Sequence, residues 1–489
     1  MQLVVGIDLG TQSLKAVVCD TELRVLGDHQ VPIETVHPRP GWAEQDPASW
    51  EAALEPAIAG ALEQARADAR DVVAIALAGQ LDGCVAVDAS GAPLHRALIW
   101  QDKRAHDHHG AADRARVLAI AGQIADPSHL APKLAWLRAH GVHAARWHQP
   151  TSFLVARLTG EHVLDPAHAS TTMLFDLAAG AWSPELCAAF AVDPTELPRV
   201  APATSIAGTL RRSLAGIAAG TPVAVGTGDD FATPLGAGVV APGRAICAIG
   251  TAEVVGALAT SPILDDAAEP MLETHAYPSG AFFVENPGWL SGGAVRWATR
   301  LLGLASDAEL DALAETAPPG AGGVTFFPAL AGAMTPVWRP HARGTLHGLA
   351  AAHGREHIAR AILEGLAFAE RDVVDRLVAL GLPAASVLVL GGGGRSRVWT
   401  QIRADALGRP HEVAARSDTC AIGAAMIAAV AVGLVVDLAT AARTAPPPAA
   451  TISPRDADAD AYADSYERYR TLQRQLASLA ERPWATVAE

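Results

Sequence analysis

Cysteine and cationic side chains are scarce in this chain, and each shortage removes a class of function. The five cysteines, Cys19, Cys84, Cys187, Cys247 and Cys420, are widely spaced and odd in number. No C-x-x-C pair occurs, so neither a zinc knuckle nor a disulfide framework is indicated. Lys and Arg number 37 against 52 Asp and Glu, for a net charge of −15. Binding to a phosphate backbone needs clustered cations, so a nucleic-acid partner is not expected. The opening "MQLVVGIDLG" lacks a basic segment and reaches Asp8 at once, unlike a signal peptide. One uncharged run, "CAIGAAMIAAVAVGLVV" (420–436), approaches the length of a membrane span. It is rich in Ala and Gly, and "SDT" before it suits a helix N-terminus, so a buried core helix is expected. A soluble, cytoplasmic protein away from membranes is the expectation.

Half of the 489 residues are hydrophobic, enough for two or three domains with sizeable cores. The stretch "LVVGIDLGTQSLKAVVCD" reads as a β-hairpin, two β-rich runs around a short Gly/Thr/Ser turn. A second hairpin pattern, "RAICAIGTAEVVGAL", begins near 244. A third glycine-rich turn, "VLVLGGGGRSRVWTQIRADALG" (387–408), joins a buried strand to a helix starting at Ser396, a good N-cap. Helical patterns such as "DPASWEAALEPAIAGALEQARA" lie between the strands, which points to α/β layers. "APPPAA" (445–450) reads as a linker before a polar helix at roughly 456–480.

Three glycine turns suit the wrapping of a polyphosphate, since glycine lets backbone approach oxygen atoms and small hydroxyl residues add donors. In "DLGTQSLK", Thr11, Gln12 and Ser13 are candidate phosphate donors, Lys15 a candidate charge, and Asp8 a candidate magnesium carboxylate. A plain structural turn is the competing reading of each loop. A dinucleotide-binding enzyme is the rival reading of "GGGGRS", but no G-x-G-x-x-G followed by an acidic residue about 20 positions on occurs there. There is also no G-x-x-x-x-G-K-[ST] loop. The acidic pair Asp229-Asp230 in "GTGDDFATPLGAG" is open to two readings as well, a solvated turn or a catalytic pair.

The motifs "GIDLGTQSLKAVV", "GQLDG", "WQDKR", "APKLAWL", "GTGDDFATPLGAG", "RAILEGLAF" and "GGGGRSRVWTQIRAD" stand in one order along the chain. In that order and spacing the chain resembles the FGGY carbohydrate kinases, with bacterial xylulokinases as the nearest branch. The resemblance implies an α/β protein of two actin-like (ribonuclease H-like, ASKHA) domains with ATP and a sugar in the interdomain cleft. It divides the chain into 1–240 (sugar site, first phosphate loop, base), 241–445 (nucleotide) and 446–489 (linker and last helix). It makes Asp229 the general base and Asp8, through water, the magnesium carboxylate, with Asp229 beside the ion. Thr11, Gln12, Ser13 and Lys15 would form one phosphate loop, and Gly250 and Thr251 the other. Gly292, Gly392, Gly393 and Ser396 would lie beside the ribose and adenine. Gln80, Leu81, Asp82, Trp100 and Asp230 would meet the sugar.

Several positions depart from the family pattern. Leu81-Asp82 stands where xylulokinases carry Met-His, and an acid at the second position is a glycerol-kinase trait. Asp230 replaces an Asn or Gln; it would accept from a sugar hydroxyl or raise the pKa of its neighbour. "GAMTPVW" (332–338) lacks an acidic residue and an Arg of the usual motif. Asp102 and Arg104 are expected to pair structurally, and the "HDHHG" run (106–110) to be a solvated helix end. The implied activity is ATP- and Mg²⁺-dependent phosphorylation of a terminal hydroxyl of a pentulose, D-xylulose first. Ribulose, L-xylulose, erythritol or another alditol are the alternatives in class, and a possible homodimer is a family-level expectation. A non-catalytic sugar-responsive regulator is the alternative outside it.

Overall fold

The computed structural model describes residues 2–339 and 341–477. The expected last helix, roughly 456–480, is described over Ala459–Leu476, and 478–489 of the C-terminal segment lie outside the described residues.

The first half begins with the expected hairpin. β1 (Leu3–Leu9) and β2 (Ser13–Cys19) run antiparallel, with Asp8 opposite Lys15. β3 (Val25–Pro32) extends the hairpin. Helix α1 (Pro47–Ala65) starts at Asp46, whose carboxylate caps the Ala48 N–H, and buries Trp50, Leu54 and Ile58 against Leu3, Val5 and Ile7. β4 (Val72–Gly79) lies parallel to β1, and β5 (Ile206–Thr209) and β6 (Pro222–Ala224) complete the strand order β5-β6-β4-β1-β2-β3. Helix α2 (Asp229–Gly236) closes this half.

The second half repeats the plan. β7 (Gly243–Ile249) and β8 (Ala252–Ala259) form the second hairpin; β9 (Glu273–Ala276) and β10 (Phe282–Leu290) extend it. Helices α3 (Gly292–Leu301) and α4 (Arg355–Ala379) follow. Next come β11 (Ala384–Gly391), α5 (Arg397–Leu407), β12 (His411–Val413), α6 (Thr419–Ala431), β13 (Ala450–Ile452) and α7 (Ala459–Leu476). The order is β9-β10-β8-β7-β11-β12-β13. In each sheet an antiparallel hairpin leads into a parallel set, β1 with β4 in one and β7 with β11 in the other.

Helices α2 and α6 lie between the two sheets. Their core joins Val4 and Val17 of the first sheet to Ile246, Leu258 and Leu388 of the second, with Phe231, Ala424 and Ile427 between. The apolar run at 420–436 is thereby explained, because a helix with a sheet on either side needs apolar residues all round. The helix itself stops at Ala431. Among the described residues no helix is long and apolar enough to cross a membrane.

The expected linker departs from its reading. Its last residue opens β13, an edge strand paired with β12, and α7 buries Tyr462, Tyr469 and Leu472 in the core of the second half. Proline lacks an N–H, which disqualifies it from a central strand but not from the approach to an edge.

Candidate active site

Both hairpin turns, the N-termini of α2 and α6, and the loop after β4 converge on one cavity of about 530 Å³ between the halves. At the first turn the Gly10 N–H donates to the Ser13 carbonyl, and at the second the Gly250 N–H donates to that of Ala252. Thr11, Gln12, Ser13, Gly250 and Thr251 line the cavity. The Trp100 Nε1–H donates to Thr11 Oγ1 at 2.9 Å, so this ring fixes the hydroxyl of the first turn as well as forming a wall. Arg296 Nη2 donates to Thr251 Oγ1 at 2.9 Å and brings a cation to the second turn.

Other residues of the sequence reading stand behind the cavity wall. Lys15 pairs with Asp28 at 3.1 Å instead of facing the cavity. Gln80 is buried and donates to Gln45 Oε1 at 2.8 Å, while Gln45 donates to the Thr11 carbonyl at 2.7 Å. It thus braces the first turn from behind. Gly292 allows α3 to reach the second turn, since a Cβ there would lie 2.2 Å from the Gly250 carbonyl oxygen. Gly392 lines the cavity, whereas Gly393 packs on Ile249 and the Ser396 hydroxyl is occupied in capping the Trp399 N–H.

The acidic pair is no solvated turn. Asp229 and Asp230 are the first two residues of α2, half-buried at the cavity floor, and Thr227–Gly228 pairs with Ala78 and Gly79 to hold that helix start in place. Gly228 leaves room for Leu81, because a Cβ would come within 2.1 Å of its side chain. Burial, then Asp230, then Asp8, hold the Asp229 carboxyl well above the usual carboxylate range. Burial chiefly pushes Asp230 up to about 6, with Asp82 adding to it, and burial also pushes Asp8 up to about 6. Two carboxylates this crowded and desolvated are an oxygen donor set whose mutual repulsion a hard cation would relieve, so Asp8 and Asp229 fit Mg²⁺.

Asp82 sits in the left-handed region at φ 56, a conformation aspartate tolerates. Lys133 Nζ donates to its carbonyl at 2.7 Å and to that of Ile99. The Asp82 carboxylate opens a chain that sequence reading did not find. His129 lies 3.2 Å from Asp82 and 3.4 Å from Glu273; His275 lies 3.6 Å from Glu273 and 3.4 Å from Glu285. Against the cost of burial, Asp82 and Glu273 hold the His129 imidazole well above its ordinary value. Burial likewise opposes ionisation of Glu273, but His129 and His275 bring it down to about 2. The one local signal was "ETHA", polar residues two apart on a buried strand.

Asp102 and Arg104 do pair, at 2.7 Å and buried, with Arg104 stacked on Trp42. The "HDHHG" run is exposed around a short turn at His109–Ala111.

Two lobes of matched topology, a hairpin turn from each in one cavity and a carboxylate at the floor define a two-domain kinase of the actin-like class. The models of the N- and C-terminal domains of the FGGY family of carbohydrate kinases match residues 3–236 and 245–432. The chain belongs to that family, whose members transfer phosphate to carbohydrate hydroxyls. It is 35% identical over 460 residues to a glycerol kinase from Alkalilimnicola ehrlichii, covering 89% of this chain and 91% of the relative. A xylulose kinase from Klebsiella pneumoniae is 32% identical over 444 residues, covering 88% and 90%. Among solved structures, xylulose kinase from Rhodospirillum rubrum matches with a TM-score of 0.88 at 29% identity, covering 98% of this chain and all of the other.

Proposed function

We propose that this kinase transfers the γ-phosphoryl group of Mg-ATP to a terminal hydroxyl of a small neutral ketose, D-xylulose foremost, giving D-xylulose 5-phosphate. The observation that supports the reading is the shared cavity, whose lining brings Asp229 together with the two glycine turns and with Leu81, Asp82 and Asp230. Asp229 accepts the proton of the attacking hydroxyl, and the backbone and hydroxyl groups of the turns hold the phosphates. Magnesium held near Asp8 and Asp229 would neutralise charge on the transferred group and so lower the Asp229 pKa toward a working base. Among the described residues no Lys or Arg lines the cavity, so a sugar acid would meet carboxylates without a Lys or Arg counter-charge.

A second reading, a glycerol-type polyol, is favoured by Asp82 and by the glycerol kinases among the relatives. The test is ADP release from Mg-ATP against a panel of pentuloses, glycerol and longer alditols. D-Xylulose as the best substrate supports the first reading and a polyol the second. Absence of turnover with every compound would sink both.

A further inference from the structure

We propose that Glu285, held by His275, is a substrate-contacting residue that reads hydroxyls on the part of the substrate that does not react. The proposal rests on the kinase reading of the same cavity and assigns it a wall supplied by the second half.

The placement follows from strand register. β9 and β10 pair Glu273 with Glu285, and His275 is two residues from Glu273, so all three side chains share a face of the sheet. That face turns to the cavity, which all three residues line. His275 Nδ1 lies 3.3 Å from the Ser170 carbonyl oxygen, an interaction in which the ring nitrogen donates. This leaves Nε2 toward Glu285 Oε1, at 3.4 Å. The other oxygen, Oε2, is buried and has no hydrogen-bond partner among the described residues. An unpaired buried acceptor costs roughly 1–3 kcal/mol, which a ligand hydroxyl would offset.

The surroundings select the ligand. Among the described residues the cavity wall holds six carboxyl side chains and no Lys or Arg, so His275 is the one basic side chain that faces Glu285 there. Burial, then Asp230, Glu273, Asp82 and last Asp229, push its carboxyl well above the ordinary range. A neutral carboxyl bonds through one oxygen to His275 and accepts through the other. The ligand it fits is an uncharged polyhydroxyl compound longer than the reacting terminus itself, because Asp229 lies in the same cavity and serves that terminus.

The full-length enzyme with Glu285→Leu and Glu285→Gln tests this, using the panel above and a separate KM for Mg-ATP. For Glu285→Leu the KM of the best five-carbon substrate should rise about tenfold, the worth of one hydrogen bond left unmade. The Mg-ATP KM and the melting temperature should hold, and glycerol should lose less than the five-carbon substrate. Glu285→Gln, which keeps an acceptor oxygen, should recover part of the loss. Unchanged sugar KM values in Glu285→Leu, or a parallel rise in the Mg-ATP KM, would overturn the assignment while leaving the kinase reading in place. An inactive wild type would overturn both.

Discussion

At the scale of single residues, the start of a helix differs from a glycine turn in what it does to a carboxylate. The free N–H groups of the first turn of α2 favour negative charge near Asp229, while burial and the Asp230 and Asp8 carboxylates oppose it. Burial and the neighbouring carboxylates thus favour the protonated form of Asp229, and a cation beside it would favour the charged one. Asp229→Asn keeps size and helix start but cannot accept the proton. Turnover should fall by about a hundredfold to ten-thousandfold, the usual worth of a general base. Calorimetric titration with a non-hydrolysable ATP analogue should still show binding, and near-normal turnover would remove Asp229 from the role. Asp229, Thr11 and Thr251 could be singled out from sequence because each lies in a short glycine-marked stretch, and Asp82 because the family resemblance puts a sugar contact at its position. Glu285, His275 and His129 could not. His129 lies 47 positions from Asp82, and His275 and Glu285 lie 193 and 203 positions from it; only the docking of β9 against the first half joins them, where the Thr274 N–H donates to the Gly122 carbonyl.

At the scale of elements, buried ionic groups fix how strands and helices meet. Arg403 on α5 bridges Glu253 on β8 at 2.6 Å and Glu370 on α4 at 2.5 Å, and His411 on β12 lies 3.1 Å from Glu370. With Cys247, the two glutamates form a cluster within 4.8 Å that suits a cation, and the guanidinium is that cation. Glu253 also accepts from the Ser291 hydroxyl, just before α3, so the network braces the second glycine turn. Arg403→Met would leave the buried Glu253 without its cation and Glu370 with His411 alone, and should cost roughly 3–5 kcal/mol in denaturant unfolding. A loss below about 1 kcal/mol would mean that water or repacking replaces the arginine. The last helix carries a pH-dependent contact of the opposite kind. Asp372 on α4 accepts from the Tyr466 hydroxyl at 2.7 Å and from Gln473 at 2.8 Å on α7. Burial outweighs both bonds and pushes it up to about 6, from 3.8. The folded state thus holds the proton more tightly than the unfolded one. The stability this supplies is complete below about pH 4 and is lost as pH rises through 6. Asp372→Asn should therefore melt above the wild type at pH 8, with the gap closing by pH 4; an equal gap at both would mean the carboxyl does not titrate in this window. The hairpins and the Ser396 cap were legible because turn chemistry and alternation act within a few residues. The edge strand β13 was not, because a Pro-rich approach looks the same whether it leads to a linker or to a sheet edge.

At the scale of the whole molecule, the two halves meet backbone to backbone where α2 crosses α6. A Cβ on Gly423 would lie 2.1 Å from the Ala232 carbonyl oxygen, and one on Gly236 would lie 1.9 Å from that of Thr419. Gly6 brings β1 equally close to α6, with a Cβ 2.0 Å from the Ala421 carbonyl oxygen. These contacts leave no room for a side chain, and they sit directly behind the cavity. The first residues of α2 are Asp229 and Asp230, and Thr419 and Cys420 of α6 line the same cavity beside them. Closing a cleft to exclude water requires the halves to rotate about whatever joins them, and this crossing is the packed joint. A methyl group at Gly423 must push the helices apart, and because both are rigid the displacement is carried to their N-termini. Gly423→Ala should thus lower stability by about 1–3 kcal/mol, as overpacking does, and also reduce kcat through a misplaced Asp229. The two effects separate on measurement. Melting reports the packing cost, while kcat taken well below the melting temperature reports the geometry. A variant that melts lower but turns over normally when folded would show that the crossing holds the halves together without aligning them. Loss of both would make the α2–α6 joint the element through which the fold sets the distance between base and phosphate.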